Sequence, residues 1–328
     1  MSVITILSEE ASWRSRDVRY YEGDWASIQT VIPEFYLAAF AAGEEDPANP
    51  FLQTVMRKPM SAVERPIPIG VVSHTYSLAQ HREVAEICRQ GLKNARIKLD
   101  GLRYQLGLSE LGEWMNFRVY FPTDYDFIDD RGNVRLRLEC FNSVDGSSRL
   151  MIVFGWLRFV CSNGLVIGES KIEIRERHGQ NLDLGSIAER IRPALAAVAA
   201  DRARMEKWQG EKIVIDGIKT WADEKLSEKW GKKAAARVFH ICDAGKDIEF
   251  EDPFAPGAAT EKPFRFLGPV PGAPERAATK YDVAQALSFV ATNRKNAEER
   301  VAWQADVPHL LQSLAPIHST SVSAQLRG

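Results

Sequence analysis

The sequence predicts an α+β protein: an antiparallel β-meander of four to five strands, followed by and packed with several helices, then a C-terminal helical segment. Three observations carry this. Between residues 97 and 175 apolar residues recur at every second position, the period of a half-buried strand. Turn-forming clusters separate these runs: Asp129-Asp-Arg-Gly-Asn133, Asn142-Ser-Val-Asp-Gly-Ser-Ser148 and Ser162-Asn-Gly164. The period then changes to that of a helix, opened by Ser186-Ile-Ala-Glu189, which reads as a capping box.

Taken in order, residues 1–65 read as an N-terminal arm. Ser8 can cap a short helix, and Pro33–Ala42 is an apolar stretch expected as a short helix or packed loop. Pro66–Ser73 reads as an entry strand whose two prolines, withholding ladder donors, place it at an edge or at the strand's start. A helix is expected over His81–Ala95, with Val84, Ile87, Cys88 and Leu92 on one face.

The strands follow at Ile97–Leu108, Trp114–Phe121, Val134–Phe141, Leu150–Cys161 and Leu165–Arg175. The Leu150 strand is nearly continuous in apolar residues, which places it centrally. Beyond Ser186, helices are expected to Trp208, over Glu211–Trp230 and over Lys232–Ile241, with Pro193 predicting a kink or a late start. Residues 243–278 are rich in proline and glycine and read as a linker or arm. Thr279 caps a closing helix, and the tail after His318 is polar and frayed. The expected organisation is an arm (1–65), an α+β core (66–242), a linker (243–278) and a helical segment (279–328).

The composition bounds function. At 328 residues, 45% hydrophobic and 26% charged, the chain can build one large core or two ordinary ones. A net charge of −2 excludes a uniformly basic nucleic-acid binder but not a basic face. Cys88, Cys140, Cys161 and Cys242 form no CxxC pair, so buried thiols in a cytoplasmic protein are expected. No apolar run reaches the roughly 18 residues of a membrane span, so no membrane partner is expected. Nucleotide-loop, hydrolase-elbow and zinc-protease motifs are absent, so neither cofactor nor metal is expected. Asp124, Asp126, Asp129 and Asp130 lack the glutamate of a calcium loop and read as a solvated turn. His178 reads as a turn or cap histidine.

The functional hint is a face. Alternation puts Trp114, Asn116, Arg118 and Tyr120 on one side of their strand, and Arg135 and Arg137 on one side of the next, with Trp156 and Arg158 able to extend the surface. Guanidinium groups neutralise phosphates and aromatic rings stack on unpaired bases. Glu139 weakens the patch, and an ordinary solvated sheet face competes with this reading. The Asn142–Ser148 loop reads as a tight hairpin, or as a polar loop offering donors to a phosphate or a partner subunit.

The order of short motifs resembles a family. Ile69-Gly-Val-Val-Ser73 with Tyr76 and Gln80, then Asn142-Ser-Val-Asp-Gly-Ser147, then Arg158-Phe-Val-Cys-Ser-Asn163, then Arg177-His178, are similar to an uncharacterised "phage/plasmid-like protein" family of bacterial mobile elements. Thr279-Lys-Tyr-Asp-Val-Ala-Gln-Ala-Leu287 is similar to that family's closing helix, and the likeness spans about residues 66–310. Gly164 and the lack of asparagine near Ala286 depart from the pattern. The loop residues Asn142, Asp145, Gly146, Ser147, Cys161 and Asn163 carry the signature. The resemblance implies a domain of unknown function in a genetic setting where DNA is the expected partner. A meander followed by a long helix is also similar to the core of single-strand annealing proteins, an analogy of fold alone. The expectation is therefore binding, and annealing, of single-stranded DNA by a homo-oligomer through Trp114, Arg118, Tyr120, Arg135, Arg137 and Arg158. The alternative is an interaction protein that binds a host factor through the 252–276 arm.

Overall fold

A computed structural model describes residues 5–7, 18–41, 43, 46–129, 132–158, 164–165, 174–250, 264–270, 272–294 and 297–316. The chain divides into two compact units, one of Met1–Phe159 and Gly168–Ala199, the other of Val160–Ile167 and Ala200–Gly328. The fold is α+β with antiparallel sheets, as expected.

The first unit opens with β1 (Thr5–Leu7), β2 (Arg19–Gly23), α1 (Trp25–Val31), β3 (Phe35–Ala39), β4 (Leu52–Arg57), β5 (Ile67–Ser73) and α2 (His81–Asn94). The meander comprises β6 (Arg103–Leu108), β7 (Trp114–Tyr120), β8 (Phe127–Asp129), β9 (Gly132–Ser143) and β10 (Leu150–Arg158). Beyond the two-residue β11 (Gly164–Leu165), which belongs to the second unit, come β12 (Ile174–Glu176) and α3 (Leu184–Gly210). The large sheet of this unit runs β1-β2-β6-β7-β9-β10, with β8 beside β9 and β12 beside β10. A second sheet runs β3-β4-β5.

Residues 18–57 contribute strands to both sheets: β2 pairs with β6, and β4 pairs with β5. The Pro33–Ala42 stretch is not a helix or loop; it contains β3. Its run of apolar residues has no period of its own, and pairing with β4 decides its state. Phe35 then joins Val55, Val72 and Val144 in a core that Leu37, Ile69, Tyr76 and Leu78 complete. The proline-bearing β5 is an edge strand, as expected.

The start of α2 is fixed by Gln80, whose backbone N–H donates to Glu83 Oε2 at 3.2 Å. Its buried stripe of Val84, Ala85, Cys88 and Leu92 packs on the large sheet. Gly91 permits a close approach of α3: a Cβ there would stand 2.5 Å from Ile191 Cδ1. Cys88, Cys140 and Cys242 are free buried thiols, whereas Cys161 lies outside the described residues. Burial, with Cys88 beside it, holds the Cys140 thiol protonated.

The N-terminus of α3 corrects the expected cap. Asp183 Oδ1 accepts from the N–H groups of Gly185 (2.9 Å) and Ser186 (3.3 Å), so Ser186 sits inside the first turn. The helix starts earlier and continues through Pro193.

The second unit contains α4 (Ile215–Trp221), a π-turn (Ala222–Leu226), α5 (Ser227–Trp230), α6 (Lys232–Ala244), β13 (Lys246–Phe250), β14 (Phe264–Pro269), α7 (Lys280–Thr292) and α8 (Ala297–Gln312). Gly231, at φ 81°, separates α5 from α6. The expected linker holds the antiparallel pair β13–β14, and Arg237 of α6 grips Asp247 of β13 at 2.8 and 2.7 Å. Thr279 caps α7 as its sequence predicts, in a capping box with Asp282. Trp230 stacks on Trp303 at 4.4 Å, and Arg294 lies 4.3 Å over the Trp303 ring. The expected Ser8 helix, residues 251–263 of the linker, residues 166–173 of the last strand and the tail from 317 lie outside the described residues. Among the described residues no helix is long and apolar enough to cross a membrane.

Candidate functional site

Arg118 and Arg137 stand in the expected register but are buried. Strand pairing sets Gln105 opposite Arg118, Arg118 opposite Glu139, and Tyr120 opposite Arg137. β7 is buried along its whole length. Arg118 is 5% exposed, Arg137 6%, Tyr120 6% and Trp114 2%, so the expected open surface for phosphates and bases is a buried layer. Glu139 is its centre: its Oε1 accepts from Arg118 Nε at 2.7 Å and pairs with Arg137 Nη2 at 2.8 Å. Gln105 Oε1 accepts from Arg118 Nη1 (2.6 Å) and from the Tyr120 hydroxyl (3.3 Å), and the Arg118 guanidinium stands over the Tyr20 ring at 5.1 Å. Two cations on one carboxylate form a self-neutralising network, which is how buried charge survives in a core.

Arg135 differs. It faces Asp126 at 3.6 Å and stays 29% exposed at its side chain. Burial raises the Asp126 carboxyl against the lowering pull of Arg135. Arg158 lies on β10, but its side chain and that of Trp156 lie outside the described residues. The same alternation that grouped the arginines also put Glu139 on the face of Arg137 on β9, where by sequence alone it only weakens the patch. Gln105 and Asp126 carried no such signal.

A second constellation gathers residues of the motif segments. The β9–β10 connection turns at Gly146, φ 80°, where Asp145 Oδ1 accepts from Ser147 N at 3.0 Å. Asp145-Gly146 is therefore a hairpin turn, as its sequence predicts. This turn sits against β5: a Cβ on Gly70 would stand 2.9 Å from Asp145 Cβ. The Tyr76 hydroxyl donates to Ser143 O at 3.3 Å, and its ring stacks on His178 at 5.4 Å and 23°. The His178 carbonyl accepts from Ser77 N at 3.4 Å, tying the β12–α3 connection to the same place. Gln80 bonds the N–H and C=O of Phe35 at 3.0 and 2.8 Å, anchoring β3.

Beneath the turn, Asn142 and His81 are fully buried. Asn142 Nδ2 donates to Ala79 O (3.0 Å) and to His81 Nδ1 (2.9 Å), while His81 Nε2 reaches Gly112 O at 2.9 Å. A carbonyl can only accept, so the proton of His81 resides on Nε2 and the ring is neutral. Burial pushes its pKa down to about 4. Burial also lowers His178, and burial with Asp145 pushes the Tyr76 phenol up. At neutral pH both imidazoles are uncharged and the phenol keeps its proton. The chemistry of this cluster is that of a hydrogen-bonded brace between the two sheets of the unit. Asn142, Asp145, Gly146 and Ser147 of the expected loop signature belong to it; Cys161 and Asn163 lie outside the described residues. Among the described residues no group of three metal-ligating side chains comes together.

Comparison with known families places these motifs in context. Residues 68–288 match the domain of unknown function DUF932. The match covers more than half of the chain, so the protein belongs to the DUF932 family. It begins within β5 and ends within α7, and so takes in the buried arginine layer and the Tyr76–His178–Asn142 brace. No curated protein matches the chain, and no solved structure does.

Proposed function

We propose that this chain is a binding protein, that its recognition surface is the β4–β5 hairpin, and that its partner there is a second copy of the chain. The observation that carries this is where exposed apolar side chains fall. Of seven large apolar residues exposed among the described ones, four lie on this hairpin or at its ends: Phe51 (69%), Met60 (55%), Val63 (94%) and Val71 (49%). Met60 and Val63 share the tip, Val71 lies mid-strand opposite Thr54, and Phe51 stands at the far end beside His74, so the tip pair is the centre of the surface and the other two extend it along the hairpin.

The hairpin tip is also preorganised. Glu64 pairs with Arg57 and accepts from Met60 N at 2.6 Å, which holds Met60 and Val63 outward in a fixed turn. Ordering cost is thus met before a partner arrives. Lys58 pairs with Glu34 at 3.0 Å, while Arg65 is exposed and makes no salt bridge among the described residues. A two-fold axis brings the same patch from each copy together, so the apolar side chains of one tip meet those of the other.

The expected phage, plasmid or integrative-element setting rests on motif order and is kept as part of this reading. Single-stranded DNA is the competing proposal. Its support is the meander-then-helix order and the partly exposed Arg135, whereas burial withdraws Arg118, Arg137, Tyr120 and Trp114 from the set.

Sedimentation velocity from about 1 to 100 µM, the span of transient affinities, tests the proposal. Concentration-dependent dimer formation is expected, abolished by Val63→Asp with Phe51→Ser. A wild-type monomer throughout overturns it. Titration of a fluorescent single-stranded oligonucleotide across a salt series is the second arm: salt-sensitive binding by a monomer replaces this reading with the DNA one.

A further inference from the structure

A cleft of about 450 Å³ opens on the first unit where the start of α1, the middle of α2 and residues 99–104 meet. The segment reaches its place through two left-handed residues, Arg96 (φ 65°) closing α2 and Gly101 (φ 79°) turning toward β6. A Cβ on Gly101 would meet nothing within 4 Å, so the turn borders open space. The volume lies within the range of small-molecule sites.

Arg89 projects from α2 into this cleft. Its guanidinium lies 4.5 Å over the Trp25 ring and 5.8 Å from that of Tyr104, and its Nε donates to the Tyr104 hydroxyl at 3.4 Å. Trp25 is itself wedged against Phe117 and Tyr104, at 6.0 Å from each. The guanidinium is therefore held flat and in place. Its Nη1 and Nη2 groups, the pair that makes forked contacts to an anion, have no protein partner among the described residues.

Five strand arginines of this unit meet carboxylates: Arg57 pairs with Glu64, Arg103 with Glu22, Arg118 and Arg137 with Glu139, and Arg135 with Asp126. Arg89, on α2, is instead placed by aromatic rings in a concavity and makes no ion pair among the described residues.

We propose that this cleft binds a small ligand through an oxyanion, a carboxylate or a phosphate, held bidentately by Arg89 Nη1 and Nη2. This goes beyond the hairpin reading and stands whether or not that reading does. Two carboxylates line the cleft. Asp24 is occupied as the cap of α1, its Oδ1 accepting from Ser27 N at 2.8 Å. Asp100 is exposed on the turn and opposes an incoming anion. That opposition supplies a variant of the opposite sign.

Isothermal titration of the full chain with inorganic phosphate, with acetate and with adenosine monophosphate tests this, the arms separating phosphate from carboxylate. Saturable binding of at least one probe is expected. Arg89→Lys keeps the charge but loses the fork and should weaken binding about tenfold. Asp100→Asn should tighten it about two- to threefold, the scale of one screened charge. Absence of saturation by all three probes up to about 20 mM, weaker than any working site, overturns the proposal. So does unchanged affinity in Arg89→Lys. Should that variant fail to fold, unchanged affinity in Asp100→Asn overturns it instead.

Discussion

The large sheet and the β4–β5 hairpin treat their side chains in opposite ways. The sheet hides Arg118, Arg137 and Glu139 at 5%, 6% and 4% exposure, while the hairpin displays Val63 at 94% and Phe51 at 69%. Charge sits inside and apolar surface outside. The lesson is that polarity does not by itself assign a face to water. A buried charge is tolerated where a counter-charge meets it in register, and apolar side chains remain on the surface of any folded chain.

The comparison breaks most severely at Glu139. Removing its charge strands two buried guanidiniums, so Glu139→Gln should cost about 3–5 kcal/mol. Urea unfolding followed by circular dichroism measures this, and a loss below about 1 kcal/mol, the level of an exposed pair, would restore the solvated-face reading.

His81 comes next. Its folded pKa, about 4, lies below the ordinary 6.5, so the unfolded chain takes up the proton first as pH falls. The stability it contributes is complete above pH 6.5 and is lost as pH drops toward 4, about 3 kcal/mol in all. Denaturant midpoints at intervals across that window should trace the loss. His81→Gln should flatten the profile between those values while lowering stability at pH 7.

Gly70 joins the two regions, since the Cβ of Gly70→Ala would press on Asp145 Cβ at 2.9 Å and Cα at 3.2 Å. Backbone must move, and a cost of about 1–3 kcal/mol is expected, read as a lowered thermal midpoint. A neutral result would mean that the turn at Gly146 and β5 are not braced against each other.

The smallest effect belongs to the hairpin itself. Val63→Ser should alter stability by no more than about 0.5 kcal/mol, because the side chain has almost nothing to lose on unfolding. Its consequence should appear in association, as a weakened dimer in sedimentation. A large loss of stability there would show Val63 to be packed, and the contrast with Glu139 would collapse.

Much of this protein was legible from its sequence. Period-two alternation located β7 and β9 to within a few residues and the end of β6, whose start at Arg103 lies six residues after the expected Ile97, and a nearly continuous apolar run located β10. Gly146 and Thr279 marked a turn and a cap through local backbone chemistry. Alternation also named the right partners for the arginine layer, since Arg118, Arg137 and Glu139 do share one face. What only the tertiary structure decided was whether that face is wet, because burial depends on elements distant in sequence. The same holds for β3, whose apolar run becomes a strand by pairing with β4, and for Asp183, which outcompetes Ser186 as the cap of α3. It holds as well for the meeting of Tyr76, Asn142 and His178, three short motifs that acquire a common place only when the chain closes on itself. Local rules set which residues point the same way; long-range packing sets what they point at.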